Sequence, residues 1–345
     1  MSNAVLAAPA LAASLSAIAV WLLLRAAPAL PPDVPNARSL HVRPVPRAGG
    51  YAVWIGFIPA ALIFPPGMPA DWKTWMPGWA ALAVVSAIDD VREVRVVPRL
   101  AVHAAAALWA AGWLVARCEG ALETPVAAVA AALALALVIA WSANLYNFMD
   151  GSDGLAASMG AIGFVAYGLA SGPDANASGS GAAPALFAAA AAIVPFLAVN
   201  RPRASMFLGD VGAVPLGFLA AVFGIAGIAG RWWPAWFPLL VFLPFIADAT
   251  VTLARRVWHR ERLWEGHRGH FYQRLHQLGA GHCGTLAIYA SAMVGTAATA
   301  LACRLWAPIA GWWALAAWIA VVLMLFATID YHWRKKTNVP SPTAP

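Results

Sequence analysis

Residues 122–156 read LETPVAAVAAALALALVIAWSANLYNFMDGSDGLA. The first part is an apolar run of the length a helix needs to cross a bilayer, about 20 residues at 1.5 Å each. The last part turns polar at once: Asn144 and Asn147 precede an Asp150-Gly151-Ser152-Asp153-Gly154 turn. Asp, Asn and Gly in this order favour tight turns and close backbone approach to a ligand. A membrane segment that carries carboxylates to one of its ends sets the expectation for the chain: an all-α bundle with chemistry at one membrane face.

Working outward, composition agrees. Of 345 residues, 62% are hydrophobic and 11% charged, whereas soluble domains carry roughly a quarter charged residues. Apolar runs bounded by charge, proline or glycine predict about eleven crossings, at 4–24, 50–66, 76–89, 99–117, 122–142, 154–171, 183–199, 212–230, 234–254, 284–303 and 308–329. No charge precedes Arg25, so the first run reads as a retained helix rather than a cleaved leader. Residues 1–345 form a single integral membrane domain, with 332–345 expected to be a disordered cytoplasmic tail.

The net charge of +7 is topological and does not call for nucleic acid. Eighteen of the 22 Lys and Arg residues fall on one side of the eleven-helix scheme. The positive-inside rule then places the N-terminus outside and the C-terminus in the cytoplasm. Cys118, Cys283 and Cys303 show neither a disulfide framework nor metal spacing. Trp232, Trp233, Trp236, Trp312 and Trp313 read as interfacial anchors.

Only 15 Asp and Glu occur, so their placement is informative. Asp89, Asp90, Asp150, Asp153, Asp210 and Asp248 fall at or near the expected cytoplasmic helix ends. Any one alone could merely terminate a helix. Six together repel, and call for a cation or a basic wall. Oxygen ligands without a His/Cys cage suit Mg²⁺, with Mn²⁺ acceptable, and Mg²⁺ combines one or two carboxylates with substrate phosphates. In FLGDVG (207–212) one Asp sits between two glycines just before a helix, whose N-terminus can receive an anion or aim the carboxylate at a metal. The His267–Arg274 run HRGHFYQR reads as a phosphate and sugar clamp through Arg268 and Arg274, though a plain positive-inside loop would also account for its charge. Arg47, in PRAGG, stands at a helix entrance.

Five segments together, PRAGG (46–50), IDDVREVR (88–95), NLYNFMDGSDGLA (144–156), FLGDVGAVPLGF (207–218) and HRGHFYQRL (267–275), resemble the polyprenyl-phosphate N-acetylhexosamine-1-phosphate transferases, in the family's order. The resemblance implies an Mg²⁺-dependent transferase of the bacterial inner membrane with its active site on the cytoplasmic face. It would transfer a sugar-1-phosphate from a UDP-N-acetylhexosamine, or a deoxy form of one, to undecaprenyl or another polyprenyl phosphate. The products are a polyprenyl-diphospho-sugar and UMP, which start cell-surface polysaccharide synthesis.

By position, Asp89 and Asp90 match the paired acids near the lipid phosphate, with Asp89 the favoured base. Asn144, Asn147, Asp150 and Asp153 match the nucleotide and diphosphate loop. Asp210, with Asp150, takes the metal position, and His270 with Arg268 matches the last, histidine-bearing loop. Phe271, Tyr272 and Gln273 stand where cell-wall members carry further histidines, which favours the O-antigen-initiating branch over the muramoyl-pentapeptide branch. A homodimer is compatible with this reading. The rival, a proton- or Na⁺-coupled secondary transporter, expects midplane acids and repeated halves. Here the acids lie at one face and no repeat is visible.

Overall fold

A computed structural model describes residues 3–30, 32–35, 40–41, 43–67, 70–92, 94–117, 124–171, 181–261 and 268–337. Arg38, Cys118, Arg262, His267 and residues 338–345 lie outside these. Every expected apolar segment is helical: α1 (Asn3–Ala26), α2 (Gly49–Ile63), α3 (Trp72–Val91), α4 (Val96–Ala116), α5 (Pro125–Met149), α6 (Leu155–Ala170), α7 (Ala183–Asn200), α8 (Asp210–Ala229), α9 (Trp236–Val241) with α10 (Leu243–Trp258), then α12 (Gly281–Trp306) and α13 (Gly311–Thr337), with the short α11 (Phe271–Leu275) before α12. By length and composition, seven helical stretches among the described residues can cross a membrane, and α2 and α6 are shorter apolar helices. The protein is an all-α polytopic membrane bundle.

Local chemistry sets the boundaries. Asp71 caps α3 by accepting the Thr74 N–H at 3.2 Å, so that helix starts earlier than its apolar run suggests. Thr124 caps α5 through the Ala127 N–H at 3.1 Å, with Pro125 in the first turn. The helix then runs on to Met149 and carries Asn144 and Asn147 on its last turns. The expected 234–254 crossing is not continuous. It breaks at Phe242, where Pro244 enters the first turn of α10, because proline brings no N–H to the helical ladder. Residues 332–337 of the expected tail are helical as the end of α13, and 338–345 lie outside the described residues.

Helices approach closely where small residues meet, as membrane bundles require. Ser16 on α1 donates to the Ala192 carbonyl on α7 at 2.7 Å. Gly56 on α2 lies against the Ala12 carbonyl, where a Cβ would come within 2.5 Å. α8 is the central helix: 83% of its most apolar window is buried, against 17% for α5 and 22% for α13. Trp232, Trp233 and Trp236 are buried in the core, which corrects the anchor reading, because Trp233 stacks on Tyr167 and Phe237. Trp312 and Trp313 are exposed.

The departures from helix matter for the site. β1 (Pro32–Asp33) pairs antiparallel with β2 (Val45–Pro46), and Arg47 bridges Phe207 in parallel. The Phe207 N–H donates to the Pro46 carbonyl, and the Gly49 and Gly50 N–H groups donate to Phe207 and Leu208. The start of α2 is thus tied to the start of α8, across the end of the bundle where α3, α5 and α7 finish.

Candidate active site

At this end of the bundle a cavity of about 340 Å³ is lined by Asp33, Arg47, Asn147, Asp150, Asp153 and Asp210, with His41, Tyr272 and His282 among the other walls. α5 delivers Asn147 and, at its C-cap, Asp150. α8 delivers Asp210 as its first residue. The amide of Asn147 donates to Asp210 Oδ2 at 3.2 Å, which joins the two helices under the cavity.

The cavity's carboxylates are held in different ways. Asp33 pairs with Arg47 at 2.8 Å. Asp153 Oδ2 accepts the backbone N–H groups of Arg203 and Ala204 at 3.0 and 3.1 Å. Those bonds hold Arg203 at φ 68°, a left-handed conformation that costs a non-glycine residue roughly 1–2 kcal/mol. Asp210 has Asn147 and, at 3.6 Å, Arg99. Asp150 is half-buried, and no basic side chain among the described residues forms an ion pair with it. Burial first, then the negative charge of Asp210, pushes its carboxyl well above the usual range, with Arg47 opposing. Burial weakens the Arg47 charge, but the facing Asp33 more than offsets this, with Asp210 and Asp90 adding to it, so the guanidinium is held firmly protonated.

The other expected site residues stand at the rim or elsewhere. Asp89 pairs with Arg99 and accepts the Val94 N–H at 2.8 Å. Asp90 accepts the N–H groups of Asp210 and Val211, at 3.2 and 3.0 Å, and so caps α8. Gly209, at φ 73°, allows this, because a Cβ there would come 2.8 Å from Asp90 Oδ2. Asn144 donates to the Ala140 carbonyl of its own helix at 2.7 Å.

The last loop departs most from expectation. Arg274 pairs with Asp330 on α13 and, like Arg268, does not line the cavity. His270 is buried and its Nδ1 lies 3.2 Å from Asp248. Asp248 does not join the acid cluster either. It is fully buried and accepts the N–H groups of Phe271 and Tyr272, each at 3.0 Å, together with the hydroxyls of Thr252 and Tyr289. Tyr272 and Gln273 reach the cavity in place of the arginines, and the Tyr272 hydroxyl donates to the Phe148 carbonyl at 3.0 Å.

Sequence reasoning passed over Asp33, His41, Asn200, Tyr272 and His282. His282 is one of five histidines between 259 and 282, and no spacing singles it out. Asp33 and His41 lie in a proline-rich stretch that shows no period.

Among the described residues no three His, Cys, Asp or Glu side chains stand close enough together to hold a metal on their own. The donor chemistry still fits a hard divalent cation. Asp150 and Asp210 are oxygen ligands in one cavity, Asp150 forms no ion pair with a basic side chain among the described residues, and Mg²⁺ commonly takes one or two carboxylates with water and substrate phosphate.

Asn147, Asp150 and Asp210 thus face one acidic pocket at the end of an all-α membrane bundle. Across residues 74–228 the chain matches the model of glycosyl transferase family 4. The matched stretch holds Asp89, Asp90, Asn144, Asn147, Asp150, Asp153 and Asp210, but not Arg47 or the last loop. The chain is 28% identical to the decaprenyl-phosphate N-acetylglucosaminephosphotransferase of Mycobacterium tuberculosis (strain ATCC 25618 / H37Rv) over 286 residues, 72% of this chain and 69% of that protein. It is 30% identical to the undecaprenyl-phosphate alpha-N-acetylglucosaminyl 1-phosphate transferase of Yersinia pestis over 197 residues, 54% of this chain and 53% of that one. To the phospho-N-acetylmuramoyl-pentapeptide-transferase of Synechococcus sp. (strain CC9605) it is 34% identical over 141 residues, 40% and 37% of the two chains.

Proposed function

We propose that the protein transfers an N-acetylhexosamine-1-phosphate from a UDP-sugar to undecaprenyl or a related polyprenyl phosphate at the cytoplasmic face of the bacterial inner membrane. A phosphate oxygen of the lipid bonds to the β-phosphorus of the donor, the bond to the bridging oxygen breaks, and UMP leaves with that oxygen. The observation that carries this reading is the Asp150–Asp210–Asn147 pocket, at the end of the bundle where the arginines gather. A pocket with this much negative charge takes a diphosphate only together with a cation.

Asp150 and Asp210 would hold Mg²⁺, which supplies charge neutralisation to the diphosphate when bound. Arg47 presents a permanent positive charge at the mouth and so attracts the incoming anion. Asn147 fixes the rotamer of Asp210 through its amide, which keeps an acceptor oxygen aimed at the cavity. A phosphate monoester is already mostly ionised at neutral pH, since its second pKa is about 6. Proton removal is therefore a small demand, and Asp89, paired to Arg99, orders the rim. Attack is direct, without an aspartyl-phosphate, and the absence of a trapped phospho-sugar on enzyme lacking lipid acceptor checks this.

The test is UMP release by purified enzyme with undecaprenyl phosphate, Mg²⁺ and a panel of UDP-sugars. UDP-N-acetylglucosamine or a close relative should turn over. Asp210→Asn and Asp150→Asn should each lower turnover by about 10²-fold or more while the thermal midpoint is kept. Uptake of a solute by proteoliposomes with no lipid-linked product would remove the reading.

A further inference from the structure

From the geometry around His282 we infer that this residue binds the donor, presenting its Nε2–H to an oxygen of the sugar nucleotide. The inference rests on the phosphotransferase reading above and adds a contact to it.

The chain builds a bend to bring this ring to the cavity. Before α12 lies a π-helical stretch, His276–Ala280, with Gly279 at φ 114° and Gly281 at φ 60°. A Cβ at either glycine would meet nothing within 4 Å, so it is the backbone conformation rather than crowding that favours glycine there. The two glycines break the helical path, and the kink sets the direction in which α12 starts. Here the residue so placed is His282.

The ring's tautomer follows from its neighbours. His282 Nδ1 lies 3.3 Å from the backbone N of Asp153 and 3.2 Å from the Ser152 hydroxyl, both nearer than Asp153 Oδ1 at 3.6 Å. A backbone N–H only donates, so Nδ1 accepts, and the proton of the neutral ring sits on Nε2. That leaves Nε2–H as the polar group free to face a ligand.

What it faces narrows the ligand. His282 lines the acidic cavity and also a second chamber of about 690 Å³, bordered by Arg43 and Arg203. The two chambers share Leu40, His41, Asp153, Phe207 and His282. A ligand that runs through both meets Arg43 and Arg203 beside Pro44, Val45 and Phe207 on one side and carboxylates on the other, so it combines negative charge with less polar parts. A nucleoside diphosphate sugar with its cation has that character, whereas a polyprenyl chain does not.

Two variants separate the substrate contact from the structural one. His282→Asn keeps an acceptor near the Nδ1 position and loses Nε2. His282→Gln keeps a donor near Nε2 and loses the Nδ1 acceptor. With undecaprenyl phosphate and the preferred UDP-sugar, His282→Asn should raise the donor KM about tenfold, with the acceptor KM and thermal midpoint unchanged. His282→Gln should keep a donor KM nearer wild type and lower the midpoint, because the Asp153 N–H loses its acceptor. A donor KM within about twofold of wild type in His282→Asn, or an equal rise in both KM values, overturns the inference. Wild-type enzyme that releases no UMP from any UDP-sugar overturns the underlying reading instead.

Discussion

At the residue scale, Asp150 is the side chain whose surroundings ask most for something to be added. Burial and the nearby Asp210 raise its carboxyl well above the range it has in an unfolded chain, about 3.9. A carboxyl raised on folding contributes most at low pH and loses that contribution as pH climbs through its folded value. Metal-free wild-type protein should therefore lose thermal stability relative to Asp150→Asn as pH rises from about 5 to about 8, and millimolar Mg²⁺ should close the gap. Unfolding midpoints of both proteins in chelator and in Mg²⁺ measure this; parallel curves would show that Asp150 carries no such strain. The carboxylates were legible in the sequence because so few acids occur in so apolar a chain. Their individual circumstances were not. Asp89, Asp90 and Asp150 look alike as letters, yet one meets Arg99, one caps α8, and one forms no ion pair among the described residues.

At the element scale, α11 has five residues, too few to be stable by propensity alone. Asp248 on α10 holds it by accepting its first two amides along with His270 and Tyr289. Asp248→Ala leaves several buried donors without an acceptor and should cost about 3 kcal/mol or more. Hydrogen exchange at the amides of 271–275 should rise sharply, and activity should fall with it because Tyr272 loses its place at Phe148. Protection that is unchanged would mean the loop holds itself. Sequence reading counted Asp248 with the reactive acids because it stands in an apolar segment near arginines. Periodicity cannot show which way a carboxylate points. The arginines of the last loop misled for a related reason: Asp330, some 56 positions further on, takes Arg274, and no local spacing announces a partner that distant.

At the scale of the whole molecule, the bundle rests on close backbone approach rather than on large interlocking side chains. Gly56→Leu, placed where the Ala12 carbonyl and Ser16 leave no room, should destabilise by about 2 kcal/mol. A normal midpoint and normal turnover in that variant would show that α1 is free to shift. The positions of the helices were readable from hydropathy, since every apolar run became helical and all but 234–254 one continuous helix. The break at Phe242, the buried tryptophans and the small strand pair were not, because they arise from contacts between segments far apart in sequence. The pairing of Arg47 with Phe207 has a consequence for biogenesis. During synthesis the two halves of that seam leave the ribosome some 160 residues apart, and the Tyr272 and His282 walls come later still. A nascent chain that ends after α8 already contains the whole family-matched stretch, yet it has an unfinished chamber. The chamber gains its last wall only when the penultimate long helix docks, so the pocket is completed late in the chain's synthesis.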